Sequence, residues 1–151
     1  RSASIKCICK MIGLKFEGTT LKFHNKELTC QPGAEALMSW VKNNRSDLMR
    51  VKGVYIISIF DTGAIGNPRP IYIGKANPLY NRLYEHCKEM MPELCSESKL
   101  SKDGRWIDVF SEYRDEELII EFIELDKEID RRWVESKLHQ SFDTIFDHKK
   151  V

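Results

Sequence analysis

The run Gly53–Phe60, GVYIISIF, is almost continuously apolar and β-branched. A stretch of this kind gains nothing from facing water on either side, so it is expected as a strand covered on both faces. Ten residues follow, DTGAIGNPRP, with two glycines and two prolines. Prolines cannot donate to a ladder and glycines favour turns, so this segment reads as a long turn returning the chain into a second strand, IYIG, ending at Gly74. A hairpin with a buried first strand constrains everything around it, because each face of the sheet needs a helical cover.

The rest of the chain supplies such covers. From about Pro78 to Met90 the apolar residues Leu79, Leu83, Cys87 and Met90 recur at helical spacing, an apolar stripe able to dock on the sheet. EELIIEFIEL, residues 116–125, alternates and is apolar enough for a third strand. Asp126 is expected to cap a helix carrying Ile129, Trp133, Val134, Leu138 and Phe142. Upstream, Ile5–Ile12 reads as a strand, Leu14–Thr29 as a hairpin-like alternation, and Ala34, Leu37, Met38 and Val41 as one short helix. Residues 44–52 are polar and read as a junction. Residues 92–115 are polar and poorly periodic apart from Trp106–Phe110, so they read as an insertion. The expected fold class is α+β: a small, mainly antiparallel three-stranded sheet flanked by helices, with an amino-terminal strand/hairpin and helix extension. The expected organisation is an accessory segment over 1–50 and a main domain over 51–151.

Charge separates the same two parts. The chain has 24 Lys/Arg and 23 Asp/Glu, of which residues 1–50 carry nine and four, leaving fifteen and nineteen. The balance is therefore +5 then −4, and the basic part is the one expected to meet a polyanion. No apolar run approaches the ~20 residues that span a bilayer, so no membrane segment is expected. The five cysteines are odd in number and loosely spaced. They suit a reducing, intracellular compartment better than a disulfide framework. Cys7, Cys9, His24 and Cys30 contain the atoms for a zinc site but lack the two-residue gap usual between paired ligands, so small buried residues are the simpler reading.

Chemistry is suggested by spacing. At 100° per residue Arg82 and His86 stand about 40° apart on one edge of their helix, pointing at a common spot. Tyr55 and Tyr72 lie on the two strands of the hairpin, where both hydroxyls can reach one end of the sheet. Gly74 stands where a side chain would block close approach. Glu135 falls on the apolar flank of the last helix, and a carboxylate there needs a counter-charge, either a cation such as Arg82 or a divalent metal. Two phenols, an Arg, a His and one acid suit phosphate-ester hydrolysis with a single hard cation, Mg²⁺ or Mn²⁺. Tyr80, Tyr84 and His139 read as helix-surface packing, and Asp115-Glu116-Glu117 as a solvated run.

These residues resemble the GIY-YIG nucleases. Gly53-Val54-Tyr55 stands for the first triplet and Tyr72-Ile73-Gly74 for the second; Arg82 follows Gly74 by eight residues and His86 follows Arg82 by four. Lys75 after the second triplet and Glu135 on a helix after a third strand also match, so the resemblance covers roughly residues 51–145. Two departures are a spacing of sixteen residues between the triplets, implying an enlarged hairpin loop, and no clear counterpart of an asparagine beyond the glutamate helix. The resemblance implies a DNA endonuclease in which Glu135 holds one Mg²⁺ on the scissile phosphate and Arg82 supports the same charge. Tyr55, its pKa lowered by Lys75 or His86, takes a proton from the attacking water, and Tyr72 positions that water or the phosphate. It leaves open whether the DNA is double-stranded or branched, and whether the role is restriction, mobility or repair. The rival class is a non-catalytic nucleic-acid-binding or interaction module on the same fold. Retention of both Arg82 and Glu135 favours turnover.

Overall fold

The computed structural model describes residues 21–22, 30–60, 68–94 and 110–141. The strand expected over Ile5–Ile12, most of the hairpin over 14–29, the loop after Phe60 and Trp106 lie outside them.

Within the described residues the order is β1 (Leu21–Lys22), β2 (Cys30–Gln31), α1 (Ala34–Asn43), α2 (Arg45–Leu48), β3 (Gly53–Phe60), β4 (Pro68–Ala76), α3 (Leu79–Met90), β5 (Leu118–Glu124) and α4 (Glu128–Ser141). The fold is α+β. Its centre is a three-stranded antiparallel sheet in which β3 is paired on one side with β4 and on the other with β5. The two short strands β1 and β2 pair antiparallel with the far edge of β5. The described residues therefore leave β4 as an edge strand.

The apolar run of β3 is covered on both faces, as its composition requires. Tyr55, Ile57 and Ile59 join one core with Leu37 and Val41 of α1, Leu83 and Met90 of α3, and Ile120 and Phe122 of β5. Val54 and Ile56 face the opposite way and meet Ile73, Ile123 and Leu125, capped by Val134 and Leu138 of α4. This division is the period of two expected of a strand. The stripe read from the sequence is real: Leu79, Leu83, Cys87 and Met90 of α3 are all buried.

Several expectations need correction. Gly74 does not end its strand, which runs on to Ala76. The stretch after α1 is no bare polar junction, because Leu48 and Val51 are buried and α1 belongs to the same core as β3. Asp126 does not cap α4, whose first turn closes from the Arg131 amide onto the Lys127 carbonyl, at 3.1 Å. Ile129 and Trp133 are exposed, 72% and 45%, leaving Val134 and Leu138 as the apolar contact of α4. One sheet face offers a helix a single line of contact, and at 100° per residue Ile129 and Trp133 are turned well away from it. At the carboxyl-terminal end of the insertion Phe110 and Tyr113 enter the core, although the surrounding sequence is polar.

Close packing at Gly53 fixes how β3 meets β5. A Cβ there would lie 1.8 Å from the Ile123 carbonyl oxygen, which is main chain and has no rotamer through which to yield. Gly53→Ala is therefore expected to separate the two strands at this point and cost about 3 kcal/mol or more in urea unfolding. A loss no larger than that of an ordinary surface substitution would show that the strands are not held at this distance.

Candidate active site

The site begins at the pairing of β3 with β4. Tyr55 stands opposite Gly74 and Ile57 opposite Tyr72, so both tyrosines lie on the face covered by α3. Ile71 is an extra residue at a bulge just beyond Tyr72, where the register shifts between Ile57 and Ser58. With no side chain at Gly74 the two rings approach one another over its backbone, their centroids 5.9 Å apart. A Cβ at this position would meet the Tyr55 hydroxyl oxygen at 2.7 Å and the Tyr72 ring at 2.8 Å. Gly74 is small because two aromatic groups occupy its space.

Docking of the α3 stripe on the sheet brings Arg82 and His86 to those tyrosines. The Tyr55 hydroxyl oxygen and His86 Nε2 are 2.6 Å apart, and Glu89 Oε1 is 2.9 Å from His86 Nδ1. Arg82 donates from Nη2 to the Tyr72 hydroxyl at 3.2 Å and from Nη1 to Glu85 Oε1 at 2.7 Å. The imidazole is packed edge-on against Tyr72, with centroids 4.7 Å apart, and against Phe110 at 4.9 Å. Tyr55 is wholly buried, His86 is 3% exposed, and Arg82 and Tyr72 are half-buried. The cluster thus runs from an enclosed phenol to a guanidinium that reaches solvent.

Burial dominates its electrostatics. Loss of water pushes the Tyr55 phenol well above its ordinary value, with the nearby Tyr72 adding to the rise and the Arg82 guanidinium opposing it. Tyr72 is raised for the same reason and again opposed by Arg82. Burial pulls His86 below its ordinary 6.5, while Glu89 pushes the other way. The two phenols and Glu85 keep Arg82 charged despite its burial.

Glu135 approaches from the opposite layer. It is on α4, half-buried, and its negative charge is felt at the Tyr72 phenol, whose pKa it raises. Among the described residues Tyr72 belongs to an edge strand, past which groups from both helical layers can act on one another. The only ion pair of Glu135 within the described residues is to His139 Nε2, at 3.9 Å, too long for a hydrogen bond. Arg82 is not its counter-ion, being engaged by Glu85 and Tyr72.

Lys75 does not join the cluster. One residue past Gly74, it is turned to the α4 face by strand alternation, where its ammonium meets Glu128 Oε2 at 2.5 Å. It is thus not placed to act on Tyr55, whose pKa is raised, not lowered. Arg131 ties the same corner together, donating to the Leu125 carbonyl at 2.7 Å, the Asp126 carbonyl at 2.8 Å and Glu128 Oε1 at 3.1 Å. These contacts set the start of α4 about two turns before Glu135.

The tyrosines, Arg82, His86 and Glu135 are legible from spacing, whereas three contributors are not. Glu89 follows His86 by three residues, a helix-neighbour spacing that could have revealed it. Phe110 and Arg131 carried no comparable signal, since a lone aromatic in a polar stretch and an Arg beside another Arg both read as surface. Tyr80 and Tyr84 stack on one another, with Arg45 over one ring and Lys88 over the other.

The described residues contain no group of three His, Cys, Asp or Glu that could hold a metal ion. The side chains of Cys7, Cys9, His24 and Cys30 lie outside them. Glu135 alone still suits a hard cation of the Mg²⁺ type, which commonly takes one or two carboxylates and completes its shell with water and a substrate phosphate. Comparison of the chain with protein-family models, curated proteins and solved structures yields no match. No helix among the described residues is long and apolar enough to cross a membrane.

Two measurements test this arrangement. Gly74→Ala is expected to leave the fold intact but drive the two rings apart, changing the near-ultraviolet circular dichroism of the tyrosines; an unaltered spectrum would show that they do not meet over the glycine. Because the folded pKa of His86 lies below its unfolded value, the unfolded chain takes up the proton first as pH falls below 6.5. The stability that neutral His86 contributes is present above that pH and lost as pH drops through the lowered value. Urea midpoints measured from pH 7.5 to 5 should fall more steeply for the wild type than for His86→Asn, and parallel slopes would sink the assignment.

Proposed function

We propose that this chain is a divalent-metal-dependent DNA endonuclease that hydrolyses phosphodiester bonds through a GIY-YIG type site. The observation that carries the reading is the meeting of Tyr55, Tyr72, Arg82 and His86 in one connected cluster, with the Glu135 carboxylate acting on Tyr72 from the opposite layer. Five chemically apt side chains from two strands and two helices are more than a purely structural core requires.

Within this reading Arg82, charged and half-exposed, binds a non-bridging oxygen of the scissile phosphate. Tyr72, held by Arg82, orients the phosphate or the attacking water. Tyr55 removes a proton from that water. Glu135 is the residue that would hold one Mg²⁺ or Mn²⁺, an ion that supplies charge stabilisation to the phosphate and to the departing oxygen. Double-stranded or branched DNA is the substrate class, and the protein would act intracellularly wherever that DNA lies. Specificity is assigned to the basic segment 1–50, the loop 61–70 and the insertion 92–115.

A second reading has one observation in its favour. Tyr55 is fully enclosed, and its hydroxyl is already occupied by His86. A non-catalytic module that binds nucleic acid or another protein would keep such a tyrosine as core. Supercoiled plasmid incubated with Mg²⁺, with an EDTA control, separates the two. The wild type is expected to nick it only in the presence of the ion, and Glu135→Gln and Arg82→Ala to lose at least about 10²-fold in rate while melting within a few degrees of the wild type. Cleavage by Glu135→Gln at the wild-type rate would remove the metal-site assignment; DNA binding by a wild type that never cuts would favour the module.

A further inference from the structure

Tyr55 has a difficulty as a base that its surroundings resolve. Buried and protonated, it can take a proton from water only by giving up its own, and no solvent touches the hydroxyl to receive it. Of the groups that hydrogen-bond the hydroxyl, Arg82 can only donate and Tyr72 is itself a phenol, so the base among them is His86 Nε2 at 2.6 Å, and whether that nitrogen can accept depends on which ring nitrogen bears hydrogen. Glu89 decides this. Its carboxylate has only acceptor atoms, so the 2.9 Å contact to Nδ1 requires Nδ1 to be the protonated nitrogen. Nε2 of the neutral ring is then a lone pair aimed at the phenol.

We propose that Glu89 is a positioning residue that fixes the His86 tautomer, so that Tyr55, His86 and Glu89 form a proton relay leading from the reacting water to the rim of the site. This rests on the nuclease reading for its catalytic meaning, but not for its geometry. The attacking water loses a proton to the half-buried Tyr72 hydroxyl, which passes its own to the Tyr55 oxygen, while the Tyr55 proton passes to His86 Nε2. The resulting hydroxide bonds to phosphorus as the bond to the departing oxygen breaks. The imidazolium keeps its Nδ1–H on the Glu89 carboxylate, which is 29% exposed and so offers the proton a way back to solvent.

The groups that face the imidazole set its response to pH. They are Tyr55 from β3, Tyr72 from β4, and Arg82, Glu85 and Glu89 on its own helix, with the uncharged Phe110 closing one side. Glu89 and Glu85 favour the imidazolium; burial, first of all, and Arg82 oppose it. Removing Glu89 therefore lowers the pH at which His86 gains a proton. A relay that needs neutral His86 would then keep its acid limb to lower pH, even though its maximal rate is smaller.

The test combines a spectroscopic readout with a kinetic one. With ¹⁵N-histidine the metal-free wild type at pH 8 is expected to show His86 protonated at Nδ1, and Glu89→Ala to lose that preference. On supercoiled plasmid with Mg²⁺, Glu89→Ala should lose about 10²-fold in kcat with little change in KM, and shift the acid limb of the rate profile downwards. Glu89→Gln, which can still accept from Nδ1, should recover part of the rate. A wild-type His86 protonated at Nε2, or a Glu89→Ala variant with unchanged tautomer, rate and pH profile, would overturn the proposal. If the tautomer behaves as stated in a protein that never cuts DNA, the Glu89 role stands and the nuclease reading fails.

Discussion

A tyrosine packed over a glycine at the centre of the sheet is the contact on which the site depends. Tyr55 can lie flat against β4 because Gly74 opposite it has no side chain, and Tyr72, two residues along, shares the space so freed. Burying the phenol in this way removes its hydroxyl from water, and a buried hydroxyl without a partner costs about 1–3 kcal/mol. His86 meets that requirement, and in doing so commits a buried imidazole that itself needs a second partner, which Glu89 provides. The chain of hydrogen bonds is thus a consequence of satisfying each buried group in turn.

The same burial shapes the electrostatics. A dry environment raises the phenols and lowers the histidine, so at neutral pH the centre holds two neutral phenols and a neutral imidazole beside a charged guanidinium. Charge is concentrated at the mouth, at Arg82 with Glu85 on one side and Glu135 on the other.

Glu135 reaches this region only because α4 is anchored at its amino-terminal end. Arg131 holds two carbonyls of the β5–α4 connection, Glu128 links Arg131 to Lys75, and Val134 and Leu138 fix the helix on the opposite face of the sheet. Lys75 therefore contributes to the site from behind, through the placement of a helix, although in sequence it directly follows the second tyrosine triplet.

The sequence by itself determined the three main strands, the helices after the hairpin and after the third strand, and the identity of the residues that converge at Gly74. It could do so because a doubly covered strand must be apolar throughout and a docked helix must repeat near every 3.6 residues, so both patterns are local. It could not determine which face Lys75 would take, since that depends on the strand continuing past Gly74 to Ala76. Nor could it show that Phe110 closes the histidine pocket, that Leu48 and Val51 bind the amino-terminal helix into the common core, or that Trp133 is left in water. Those outcomes follow from register, docking angle and the number of faces available for cover, all of which are set by contacts between residues far apart in the chain. The tertiary structure likewise decided that Glu135 forms no ion pair with Arg82 among the described residues, because it stands on the helix that covers the opposite face of the sheet.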